Sequence, residues 1–175
     1  MRLPPCRAKS ALESGPSGPG AEGEAVLRGV HHAGVTVASL DRSLAFYRDV
    51  LGLEVFVVAE RTDATIGAIC GYPGARIKLA FLGVPGDTAR VELLEYLEPK
   101  GEDAGGETHR PGSGHVCFRV EDIEADFARI VAAGYAPRSP APVTITEGPN
   151  AGARAFYVRD PDGYTVELFQ PPPGR

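Results

Sequence analysis

From Val30 the side chains alternate, with His31, Ala33, Val35 and Val37 on one face and His32, Gly34 and Thr36 on the other. That period of two predicts a half-buried strand. The pattern returns further on, where Val116, Phe118 and Val120 form an apolar face and His115, Cys117 and Arg119 point the opposite way. After each strand the spacing changes to that of a helix. Leu40, Leu44, Tyr47 and Leu51 make one stripe, and Ile123, Phe127, Ile130 and Val131 another. Helices are therefore predicted over 40–51 and 123–133. Ser39 and Asp122 can accept from the unpaired N–H groups at their starts, and Gly52 and Gly134 stand at their ends. Strands follow at 54–58, 77–82 and 90–96, with Val84-Pro-Gly-Asp87 as the turn before the last. In the second half, 153–158 and 164–170 form a hairpin around Asp160-Pro-Asp-Gly163. Two longer stretches rich in Gly and Pro, 99–114 and 136–152, have the length of binding loops or flexible connections.

The chain thus runs twice through strand, helix and strands, and each pass ends on the same tripeptide, Val91-Glu92-Leu93 and Val166-Glu167-Leu168. Copy-to-copy parity selects His32, not His31, as the equivalent of His115. Two imidazoles and two carboxylates at matched points of a repeat can converge on one cation if the copies meet around a pseudo-two-fold axis. Such donors suit Zn, Fe, Co, Ni or Mn. A single strand His would more often be a satisfied half-buried residue; four matched positions reverse that preference. Of the remaining polar groups, Arg119 shares the face of His115 and can either hold an anionic group of a substrate or pair with a neighbouring carboxylate. Tyr96, Tyr157 and Phe169 are candidates to line a pocket, although aromatic strand residues more often belong to the core. Glu95 has the opposite parity to Glu92 and is expected in solvent. His31 is expected to be partly buried, His109 to lie in a loop, and Cys117, though inward by parity, to be a small buried hydrophobe.

With 43% hydrophobic residues and a mean hydropathy of −0.11, the 175-residue chain has the composition of an ordinary globular protein with a real core, and no membrane role is implied. A formal charge of −5, a pI near 5.4 and scattered Lys and Arg argue against nucleic acid as a partner and leave small molecules or proteins. Three cysteines without paired spacing suggest no disulfide framework, hence a reducing compartment, with the cytoplasm expected. Residues 1–27, rich in Gly and Pro, read as a flexible leader. Acids at Glu13, Glu22 and Glu24 and the lack of an apolar run argue against a targeting signal. The expected organisation is a leader at 1–27, a first module at 28–98, a linker at 99–113 and a second module at 114–171.

The motifs His32-x5-Val37, Ser43-Leu-Ala-Phe-Tyr-Arg-Asp-Val-Leu-Gly-Leu53, Val91-Glu-Leu, Gly114-His-Val and Asp160-Pro-Asp-Gly-Tyr-Thr-Val-Glu-Leu168 occur in order over about 28–171. Together they resemble the vicinal oxygen chelate superfamily, which includes glyoxalase I, methylmalonyl-CoA epimerase, extradiol dioxygenases and the bleomycin and fosfomycin resistance proteins. The resemblance implies an α+β, glyoxalase-like fold, with two paired βαβββ modules forming a cupped, barrel-like mixed sheet. It implies one divalent metal ion per site, held by His32, Glu92, His115 and Glu167, with the ligands drawn from one chain or from two across a homodimer. It further implies a lyase or isomerase in which Glu167, with Glu92 as its counterpart, moves a proton next to a metal-bound carbonyl; Arg119, Tyr96 and Phe169, read from their strand positions, are the residues expected to contact the small-molecule substrate. Thr36 stands where the bacterial glyoxalase I usually carries an Arg that helps hold glutathione, and Tyr96 where a substrate-binding Asn is expected, so glutathione is not favoured. Glu60 is a weaker candidate base. The competing classes are an extradiol dioxygenase, which the acid at Glu92 disfavours, and a non-catalytic antibiotic-binding protein, which would not need the four ligands.

Overall fold

The computed structural model describes residues 27, 29–102 and 106–174, so the expected leader lies, apart from Leu27, outside the described residues. Strand β1 (His32–Thr36) leads into helix α1 (Leu40–Leu44), which continues as a wider π-type segment over Ala45–Val50. Then come β2 (Glu54–Arg61), a short helix α2 (Ala64–Cys70), β3 (Arg76–Gly83) and β4 (Arg90–Glu98). The second half repeats the order with β5 (His115–Arg119), α3 (Ile123–Ala132), β6 (Val143–Thr144), β7 (Arg154–Arg159) and β8 (Thr165–Gln170). Two four-stranded sheets result, ordered β1-β4-β3-β2 and β5-β8-β7-β6. In each, the first strand runs parallel to the last and the remaining pairs are antiparallel. This is the expected pair of cupped sheets, left as two sheets and not closed into a barrel. Among the described residues no helix is long and apolar enough to cross a membrane.

The helices start where the caps predicted. Ser39 Oγ accepts from Arg42 N at 3.4 Å and Asp122 Oδ1 from Ala125 N at 3.1 Å. Gly52 and Gly134, just past the helix ends, have φ of 80° and 88°, a conformation that costs a residue with a Cβ. A second cap comes from the sheet. Glu95 Oε2 accepts from Leu40 N at 2.9 Å, and Gln170 Oε1 accepts from Ile123 N at 3.2 Å. Glu95 is thus not a solvent residue, as its parity suggested: the face opposite Glu92 carries the helix, and an unpaired N–H at the helix start draws the carboxylate in.

One core joins both halves. Val35, Val91, Leu93, Ala80 and Leu82 of the first sheet cluster with Phe156, Val158, Val166 and Leu168 of the second, around Phe46, Tyr47, Ile123 and Ile130 from the helical segments. The Phe46 ring lies 4.6 Å from that of Tyr135, centroid to centroid. Polar contacts tie the same joint. The Tyr47 hydroxyl donates to Asp160 Oδ2 at 3.0 Å, Ala38 N donates to Asp162 Oδ2 at 3.0 Å, and Arg42 pairs with Asp162. Burial raises the Asp160 carboxyl above its ordinary range, against the lowering effect of donors from Tyr164, Tyr47 and Asp162. Because the two sheets share their helix-bearing faces in this core, their other faces turn away from it.

Candidate metal centre

Strand pairing decides what those outer faces carry. In the first sheet Glu92 lies beside Gly34 of β1 and opposite Phe81 of β3. In the second, Glu167 lies beside Cys117 of β5 and opposite Tyr157 of β7. Two residues back along each first strand stands the histidine. His32 Nε2 is 3.2 Å from Glu92 Oε2, and His115 Nε2 is 3.1 Å from Glu167 Oε2. The two pairs match in exposure as well, with side chains 38% and 14% accessible in the first and 40% and 17% in the second. Each imidazole is half open and each carboxylate recessed.

An aromatic ring supports each imidazole. Phe81 meets His32 edge to face at 5.5 Å between centroids, and Tyr157 packs on His115 at 5.2 Å. His31 is exposed, not partly buried, and its Nδ1 sits 2.8 Å from Nδ1 of His32, a contact that orients the ring and leaves Nε2 toward Glu92. Sequence reading passed over Phe81. The turn at 84–87 carried the signal, because counting the hairpin register back from it sets Phe81 across from Glu92.

The donor chemistry fits a divalent cation. Nitrogen and oxygen ligands at about 2.0–2.2 Å and near right angles stand roughly 3 Å apart, which is the spacing of each pair. The structure brings the four expected ligands together two by two. Among the described residues no three His, Cys, Asp or Glu side chains gather as a metal-binding group. One chain thus presents two half-sites, on faces turned away from its shared core.

The other candidates fall into place around these pairs. Tyr96 extends the Glu92 row of β4 and packs edge to face on Tyr72 at 6.1 Å. Phe169 and Arg119 are strand partners on the Glu167 face, half-buried and exposed respectively. Cys117 is exposed and not a buried hydrophobe. Its thiol contacts the Glu167 carboxylate, and partial desolvation, reinforced by that charge and hydrogen bond, pushes it up to about 12. His109 is an exposed loop residue, as expected. Glu60 pairs with Arg76 at 3.3 Å, one residue on from Ala59, and so faces away from Glu92. Helix α2, which the sequence reading missed, lies over the outer face of the first sheet. Its Ile66 and Cys70 close an apolar cluster with Ile77, Leu79, Leu94 and Tyr96.

A fold of two βαβββ halves with a His–Glu pair on each outer face defines a class, and sequence comparison identifies it. The chain belongs to the Glyoxalase/Bleomycin resistance protein/Dioxygenase superfamily, whose sequence model matches residues 29–168. It is 30% identical over 154 residues to a 2-epi-5-epi-valiolone epimerase of Actinomyces sp, covering 83% of this chain and 80% of that one. It is also 31% identical over 141 residues to a lactoylglutathione lyase of Haemophilus influenzae, covering 79% of this chain and 90% of the relative. In structure it resembles a glyoxalase family protein from Bacillus cereus with a TM-score of 0.74 at 23% identity, over 87% of this chain and 99% of the other.

Proposed function

We propose that this chain is a divalent-metal-dependent lyase or isomerase acting on a small oxygenated carbonyl compound, with His32, Glu92, His115 and Glu167 as metal ligands. The observation that carries the reading is the doubled His–Glu pair, two donors at ligand spacing on each of two outward faces. Since each chain presents its donors in pairs that do not meet, the site is completed in a homodimer. His32 and Glu92 of one copy join His115 and Glu167 of the other.

A bound cation would polarise the substrate's carbonyl oxygens and stabilise negative charge developing there. Glu167, or its counterpart Glu92, takes a proton from the carbon next to the carbonyl and returns it, a task that requires a carboxylate within hydrogen-bond reach of that carbon. Phe81 and Tyr157 hold the imidazoles in place. Arg119 and Phe169 face the substrate from the second sheet and Tyr96 from the first. The names of the relatives, a lyase and an epimerase, support proton transfer at such a carbon. Thr36 and Tyr96 offer no cation to the carboxylates of glutathione and the cluster under α2 presents an apolar wall, which disfavours a glutathione conjugate as the substrate.

The test is metal analysis of protein purified without added metal, followed by a screen of small hydroxy-carbonyl compounds in deuterated water. The expected results are one divalent ion per chain and deuterium at the carbon next to the carbonyl. His115→Ala should lose metal, whereas Glu167→Gln should retain metal in part and lose exchange. Protein without metal, binding small molecules equally well in both variants, would establish a binding protein instead.

A further inference from the structure

The two half-sites are alike in histidine, carboxylate, spacing and exposure, and differ at the position between them. Where the second sheet sets Cys117 beside Glu167, the first sets Gly34 beside Glu92. Glycine in the middle of a strand weakens it, so its presence needs a reason. Backbone conformation is not the reason, because Gly34 does not adopt the left-handed region. Crowding is not the reason either. A Cβ built at Gly34 would meet only Leu94 Cδ1 at 3.5 Å and Glu92 Oε2 at 4.0 Å, which are ordinary contacts. The fold would accept a side chain here, and what glycine leaves is a patch of bare backbone against the Glu92 carboxylate. In the second module the matching space is filled by a thiol that contacts Glu167.

We propose that Gly34 is the seat of the substrate's carbon skeleton, and that Cys117 closes the equivalent seat beside Glu167. A compact carbonyl compound spanning the two half-sites then lies over the first module, with its apolar side toward the wall of Leu79, Leu94 and Ile66 and its transferable proton facing Glu167 across the site. Gly34 and Cys117 thereby determine specificity, and they set which face of the substrate meets a carboxylate. The inference rests on the metal-site reading above and goes beyond it, since ligand identity alone leaves the two carboxylates equivalent.

The test uses zinc and benzohydroxamate, a two-oxygen chelator with a flat apolar group, on the full chain by calorimetry. Wild-type protein should bind zinc and then the hydroxamate. Gly34→Ala should melt like the wild type and keep its zinc content while binding benzohydroxamate at least about tenfold more weakly, the effect of adding one methyl to a close-fitting surface. Exchanging the positions, Gly34→Cys together with Cys117→Gly, should restore binding lost in Gly34→Cys alone, because the seat has moved to the other module. Unchanged affinity in zinc-loaded Gly34→Ala, or no recovery in the exchanged variant, would overturn this inference and leave the metal site standing. A wild-type chain that takes up no zinc would overturn both.

Discussion

The first module devotes eight residues to β2 and adds α2 above its outer face, whereas the second reduces the matching strand to the two residues of β6 and has no helix there. One half-site therefore lies beside an apolar wall and the other is open, edged by Arg119 and Phe169. Yet both keep the His–Glu pair at 3.1–3.2 Å, the aromatic ring behind the imidazole and the carbonyl-bearing side chain that caps the helix. What both halves retain is the geometry of the His–Glu pair and what holds it. What differs is the surroundings, where a substrate would be distinguished.

Substitution should cost most at the joint the modules share. Phe46 is fully buried between them. Phe46→Ala should cost about 3–5 kcal/mol, and because the core is common to both sheets, heating should show one transition moved down as a whole. Two separated transitions would mean that the halves fold independently.

Removing the Tyr47 hydroxyl should cost less, about 1–3 kcal/mol, by leaving Asp160 Oδ2 buried without that donor. The same carboxyl gives a pH signature. Its folded-state value is raised above the ordinary 3.8, so the folded chain holds the proton more tightly. Its contribution to stability is present below pH 3.8 and is lost as pH rises through the raised value. Asp160→Asn should accordingly compare worst with the wild type in acid and recover ground toward neutrality, as read from urea midpoints at both ends of that range.

The smallest effects are expected at the helix starts. Glu95→Ala and Gln170→Ala should each cost about 1 kcal/mol, with Glu95→Ala the larger, since a carboxylate at a helix N-terminus adds a charge term of roughly 0.3–1 kcal/mol. Glu95→Gln should fall between wild type and Glu95→Ala, giving the first module the cap of the second. Equal stabilities for all three forms would show that the strand-borne cap contributes nothing.

These residues also show how much the sequence discloses. The caps Ser39 and Asp122, the terminal glycines and the strand parity that picks His32 over His31 are local, and local chemistry is legible along a chain. Helix α2 was not. Ala64-Thr-Ile-Gly-Ala-Ile-Cys70 is short, carries β-branched residues and an internal glycine, and packs by Gly67 lying so close to the Tyr72 carbonyl that a Cβ would stand 2.9 Å from it. Asp63, accepting from Thr65 and Ile66, and Gly71, with a φ of 79°, were the available signs of its ends. Glu95 was misplaced because period-two parity says which face a residue takes and not what covers that face. The pairing of donors two by two depends on how the sheets share a core, a long-range outcome that no motif encodes.

Mixing chains tests whether half-sites from two copies combine into one metal centre. Dimers formed from His32→Ala and His115→Ala chains, unfolded and refolded together, would contain one site with both histidines lost and one with all four ligands intact. Neither variant alone should hold metal tightly, and the mixture should recover about one tightly bound ion per mixed dimer. A mixture that binds no more metal than its parents, while mixed dimers are shown to form, would contradict it.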